Sequence, residues 1–139
     1  MEFENPSRLA MAAAAVAALL AVVVFTPLVA VSGADSTLGA YYAAGPFGLT
    51  AVGLLAAVAV VVFLSVDQPH TDGLMLSGAG LIVAIVTLLL GIAWLVMIDS
   101  TVLFSFPAEY AWIENHRWMV LVGTLMLAAV AGLQARAAL

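Results

Sequence analysis

The sequence predicts an all-α integral membrane fold: an antiparallel, up-down bundle of four transmembrane helices in one domain, residues 1–139. Three observations predict it. Of the 139 residues, 66% are hydrophobic and only 8% are charged, against about a quarter charged in a soluble domain. So little polar surface cannot cover a water-soluble fold. The apolar residues fall in four runs, each near the roughly 20 residues that cross the hydrocarbon. The connectors are short, which makes consecutive spans antiparallel neighbours.

Span 1 is expected over 9–31, after Arg8. Its run is longer than the 7–15 residues typical of a signal-peptide core, so Ser32-Gly33-Ala34 reads as a loop and not as a cleavage site. Pro27 lacks an N–H and denies the carbonyl of Val23 its helical partner, which predicts a bend at the outer end. Span 2 follows Gly45-Pro46 and covers 47–66. Span 3 covers 74–98 after a tight polar turn containing Asp67, Pro69 and Gly73. Span 4 covers 114–135, with a start as early as Pro107 as one alternative and a short interfacial helix as the other. Residues 32–46 and 99–115 are then loops on one side.

Span 3 carries small residues at Ser77, Gly80, Ala84, Thr87 and Gly91, in spacings that let a neighbouring helix approach closely. This is the candidate packing seam, within the bundle or against another subunit. Span 4 offers Thr124, Ala128, Ala131 and Ala135, a pattern that an alanine-rich helix produces without purpose.

Chemistry is sparse. There is no cysteine and no lysine; eight acidic residues against Arg8, Arg117 and Arg136 leave a net charge of −5, so neither nucleic acid nor anionic head groups are expected partners. The spans hold no embedded ionisable side chain, which argues against a proton relay or catalysis at depth. His70 and His116 lie on opposite sides of span 3, too far apart to hold one haem. Asp67, His70 and Asp72 form the nearest approach to a metal set, in an ordinary solvated turn. No catalytic residue, cofactor or metal is expected.

The richest region is Glu109…Trp112…Glu114-Asn115-His116-Arg117-Trp118. In a continuous helix Glu109, Trp112 and His116 share a face, and Glu114 can pair with Arg117. Tyr41, Tyr42, Phe47, Phe104, Phe106, Tyr110, Trp112 and Trp118 gather at the same membrane side, whereas only Phe3 and Phe63 belong to the other. Interfacial anchoring puts aromatics on both sides, so the asymmetry points to a partner or lipid patch formed by Tyr41, Tyr42, Glu109, Trp112, His116, Arg117 and Trp118.

The Tyr41-Tyr42-Ala43-Ala44-Gly45-Pro46 and Glu114-Asn115-His116-Arg117-Trp118 motifs, in an acidic, lysine-free, Ala/Val-rich chain, resemble small four-span membrane proteins of halophilic archaea. The resemblance covers most of the chain. It implies a plasma membrane facing concentrated salt and supplies no activity or site residues.

These readings lead to a non-catalytic accessory or structural subunit in the plasma membrane. Both termini are expected to be cytoplasmic, since Arg8 and Arg136 then lie inside and Arg117 outside. Its expected partners are the lipid bilayer and another membrane protein or a second copy, met through the span 3 face and the aromatic cap. The alternatives are an oligomeric pore or carrier for a small solute and a quinone- or haem-binding electron-transfer subunit using His116. An enzyme on lipid head groups, with Glu109 and His116 as acid and base, is the weakest alternative.

Overall fold

The computed structural model describes residues 5–33 and 35–139, and among them the only regular structure is helical. Phe3 and Ala34 lie outside the described residues. Helix α1 spans Pro6–Ala30. It begins where Asn5 accepts the Ser7 and Arg8 N–H groups, with Pro6 supplying the fixed φ of the first turn. Helix α2, Asp35–Ala43, occupies the stretch read from sequence as a loop. Helix α3 is Gly48–Leu64. Helix α4, Gly73–Met97, is capped by the Asp72 carboxylate on the Met75 N–H. A short α5, Ser100–Phe104, is capped in the same way by Asp99. A 3₁₀ turn at Ala108–Tyr110 leads into α6, Ile113–Ala138.

Helix α1 packs between α3 and α6, and α4 packs between the same two from the other side. Side-chain bonds show which ends meet. Ser7 at the start of α1 donates to Asp67 just past the end of α3, at 2.8 Å. Gln134 near the end of α6 donates to Ser77 near the start of α4, at 2.8 Å, and to the Pro6 carbonyl at 3.5 Å. Consecutive long helices therefore run in opposite directions.

Three segments are long and apolar enough to cross a membrane: α1, α4 and residues Ala108–Ala138. The fourth candidate is α2 and α3 taken together, bent by 63° at their junction. That junction needs glycine. Gly45 and Gly48 have φ of +80° and +78°, a left-handed conformation that L side chains resist.

The interior mixes many alanines with a few large side chains such as Leu20, Leu49, Phe63 and Trp94. Ala10, Ala13, Ala17, Ala56, Ala59 and Ala84 are buried, while Leu19, Val61, Ile82, Leu89 and Val122 face outward. Helices with small residues at their contacts approach closely and gain dispersion energy along their length. The α4 seam is part of this interior. Ser77, Gly80, Ala84, Thr87 and Gly91 are its buried face, extended by Trp94. A Cβ on Gly80 would stand 2.6 Å from Phe63 Cζ, and one on Gly91 would stand 3.1 Å from Thr124 Cγ2. The seam is therefore covered by α3 and α6 of the same chain and offers no surface to a separate partner.

On α6 the buried stripe is Ile113, His116, Val120, Thr124, Leu127, Ala131 and Gln134. It shares Thr124 and Ala131 with the pattern read from sequence, but Ala128 and Ala135 are only partly buried. The buried hydroxyls of Ser77, Thr87 and Thr124 all bond to carbonyls of their own helices.

Gly80→Leu is expected to cost about 1–3 kcal/mol through overpacking against Phe63, read as a lower Tm in detergent with unchanged oligomeric state. An unchanged Tm would show that Phe63 yields freely.

Candidate functional site

The polar groups of the interior gather at one end, where α2 crosses the bundle. The anchor is the proline of α1. Pro27 has no N–H for the Val23 carbonyl. His116 supplies the missing donor: its Nε2 lies 2.6 Å from Val23 O. A carbonyl only accepts, so Nε2 carries the proton and Nδ1 is left as an acceptor. The Tyr41 hydroxyl donates to that Nδ1 at 2.7 Å. His116 is thereby held as one neutral tautomer, between a helix backbone and a phenol.

The adjacent carbonyls are used as well. Thr26 Oγ1 donates to Val22 O at 2.6 Å, and the Tyr42 hydroxyl donates to Val24 O. Trp94 from α4 closes the set, its Nε1–H donating to the Tyr41 carbonyl at 2.9 Å. Tyr41 is fully buried, with rings packed edge-on around it. Trp94 lies at 5.1 Å, Phe106 at 5.7 Å and Tyr42 at 5.8 Å between centroids. The cluster is a clasp: α2, α4 and α6 each give a side chain to it, and three consecutive carbonyls of α1 receive donors.

Of the seven residues expected in a surface patch, Tyr41, Tyr42 and His116 are inside; His116 is only 2% exposed. This histidine, placed by the sequence at the start of span 4, is carried into the protein interior by the first turn of α6. Glu109, Trp112 and Trp118 are exposed. Glu109, Trp112 and His116 do not share a helical face, because Glu109 belongs to the 3₁₀ turn and α6 starts only at Ile113. Trp112 still meets the His116 ring edge-on at 6.3 Å.

Arg117 does not pair with Glu114: among the described residues no ion pair joins them, and the Arg117 Nε is buried without a partner. Its guanidinium lies 5.1 Å from the Trp118 ring centroid. The expected aromatic belt thus divides into an inner group (Tyr41, Tyr42, Trp94, Phe106) and an outer rim (Phe47, Phe104, Trp112, Trp118). At the other end Phe63 is buried against Gly80.

Asp67, His70 and Asp72 do not converge on one point. Asp67 receives the Ser7 hydroxyl and Asp72 caps α4, and among the described residues no three potential ligands converge. Sequence reading missed Gln134. It is fully buried between α1, α4 and α6, and its Oε1 lacks a partner. Its register with Thr124, Leu127 and Ala131 on the buried stripe was the available signal.

Beside the clasp, on the outward side of α1 and α6, runs an open apolar groove of about 510 Å³. It extends from Val23 and Asn115 at the clasp end to Val16 and Met126, and the Trp118 indole lines it near its mouth.

The model of a family described as being of unknown function (DUF7548) matches residues 4–139. No curated protein and no solved structure matches the chain.

Proposed function

The chain belongs to the DUF7548 family, and from that premise we propose that it is a non-catalytic integral membrane protein, an accessory subunit that meets a protein partner through the aromatic rim at the clasp end. The observation that carries membrane residence is the inverted distribution of side-chain size. Alanine is frequent on the buried faces of α1 and α3 and glycine on that of α4, while large apolar side chains such as Leu19, Val61, Ile82, Leu89 and Val122 stand exposed on the long helices. In water that arrangement would expose most of the hydrophobic surface. In hydrocarbon it is the arrangement that helix packing favours.

The α2–α3 pair is read as one broken span, which gives four crossings and both termini on one side. That side is cytoplasmic on the arginine distribution, with Arg8 and Arg136 at one end and Arg117 at the other. On the resemblance described above, the membrane is a plasma membrane facing concentrated salt.

The rim supports recognition because its phenylalanines project outward: Phe47 is 71% exposed and Phe104 74% exposed. Large aromatics are common anchors at interfaces between proteins. The α4 seam is withdrawn from the partner surface because the chain itself covers it. A haem role for His116 finds little support, since both ring nitrogens are engaged. A pore between copies would need a polar outward stripe, and the outward residues of the long helices are apolar.

Two measurements test this reading. After alkaline carbonate washing the protein is expected to stay in the membrane pellet; release into the supernatant overturns membrane residence. In mild detergent the native protein is expected to run as a complex larger than its own 14.3 kDa chain. The double change Phe104→Ser with Trp112→Ala is expected to reduce it to monomer. A lone wild-type monomer overturns the accessory role.

A further inference from the structure

We propose that α2 is a hinged cover over the clasp, latched by the Tyr41–His116 bond, and that protonation of His116 releases it. The proposal rests on the geometry of the clasp and not on a protein partner.

Helix α2 can swing as a unit. It has nine residues, Asp35–Ala43, and left-handed glycines stand on both sides of it: Gly33 at φ +78° before it, Gly45 at +80° and Gly48 at +78° after it. Hinges are a few loop or element-terminal residues of this kind, which absorb a change in backbone dihedrals. Leu38, Tyr41 and Tyr42 form its buried face, at i, i+3, i+4 spacing, while Ser36, Gly39, Ala40 and Ala43 are exposed. Among the described residues, its hydrogen bonds to the long helices involve only Tyr41 and Tyr42.

The latch has a fixed direction. His116 Nε2 gives its proton to Val23 O, so Nδ1 accepts from the Tyr41 hydroxyl at 2.7 Å. A second proton on the ring goes to Nδ1 and turns that acceptor into a donor. The Tyr41 hydroxyl must then turn its hydrogen away, and the edge-on rings of Trp94 and Phe106 offer it no lone pair. The imidazole has also become a cation in the interior, where a charge needs a counter-ion or water.

No counter-ion is placed to serve. From α1 the ring meets the Val23 carbonyl, and α4 gives the cluster Trp94; neither titrates. From α2 come Tyr41 and Tyr42, the latter bonded to Val24 O. The next residue on α6 is Arg117, a second cation, whose Nε is buried without a partner. Glu114 on α6 and Glu109 on the 3₁₀ turn are exposed, Asp99 caps α5, and Tyr110 is bonded to Ser32. Among the described residues no carboxylate hydrogen-bonds His116 or Tyr41. Water remains, and lifting α2 admits it to Nδ1. Acid therefore favours the open form.

The chain has no cysteine, so one introduced thiol reports one place. Leu38→Cys puts it under α2, and Leu103→Cys puts it on α5, which packs against α2; both positions are buried. Gly39→Cys and Phe104→Cys are their exposed neighbours. The purified full-length protein in detergent is treated with a maleimide, and each buried-to-exposed ratio of rates is taken at one pH, which removes the reagent's own pH dependence. Both ratios are expected to rise at least tenfold from pH 8 to pH 4, an interval that brackets the imidazole range. Tm at each pH verifies the fold. His116→Gln and, separately, His116→Asn carry an amide that does not titrate, and each is expected to leave the ratios flat. Flat ratios in the chain that retains His116 overturn the proposal. So does an equal rise in either histidine variant when it is folded. Ratios near one for both reporters at pH 8 overturn it as well, because α2 is then not closed; the reporters sit on different helices, so loosening by one substitution does not decide the question.

Discussion

His116→Ala is expected to lower the unfolding free energy by about 2–4 kcal/mol, measured as a fall in Tm in detergent. A lone side-chain bond between membrane helices averages only about 0.6 kcal/mol, because the unfolded chain finds other partners. His116 differs in two respects. It serves two groups at once, Val23 O and the Tyr41 hydroxyl. The first of these is a carbonyl that Pro27 has left without its helical N–H, so removing the imidazole strands it, and the lost ring also leaves a void among Tyr41, Trp112 and Ile113. A double-mutant cycle separates the two contributions. Pro27→Ala restores an N–H at position 27, and in that background His116→Ala is expected to cost about 1 kcal/mol less. Full additivity of the two changes would show that His116 does not substitute for the missing rung.

Gly48→Ala is expected to destabilise by about 3 kcal/mol or more. Two penalties fall on one atom. The backbone has φ of +78°, and the added Cβ would lie 2.5 Å from the Tyr42 carbonyl oxygen. That oxygen is backbone and cannot rotate aside, so the α2–α3 junction must open. Opening it pulls Tyr41 away from His116 and Trp94, and the clasp fails with it. Gly39→Ala is the control. It is exposed within α2, nothing lies within 4 Å of its Cβ position, and the change is expected to be neutral or to stabilise by up to about 1 kcal/mol. Similar losses at both positions would mean that α2 itself, and not its junction, is sensitive to alanine.

The long helices were legible because each is a run of apolar residues, three of them long enough on their own to cross a membrane. The start of α1 at Pro6, three residues before the expected 9, reflects a polar first turn capped by Asn5 that hydropathy does not register. The α4 seam was readable because small residues at alternating spacings of three and four stand out among Leu, Ile and Val. On α6 the background is itself alanine, so the spacing of Thr124, Ala128, Ala131 and Ala135 carries no signal, and the buried side runs through Leu127 and Gln134. Helix α2 escaped notice because Ser32-Gly33 and Gly45-Pro46 bracket it like a loop. What holds it in place, Trp94 and His116, lies 53 and 75 positions away in the chain. The candidate site was half visible for the same reason. The aromatic crowding at one end could be counted, but which rings turn inward depends on the Val23 carbonyl, and only packing shows where that carbonyl points. Gln134 was overlooked because a polar residue near a span's end is ordinarily assigned to the interface, where snorkelling side chains find water.

The bond between Val23 and His116 also sets an order for biogenesis. A bare carbonyl is costly in lipid, and the residue that relieves it is synthesised 93 positions later. On the proposed membrane residence, the Pro27 end of α1 lacks this donor until α6 has been made. α6 thus seals α1, and a chain that stops before Ile113 leaves the Val23 carbonyl without the His116 donor.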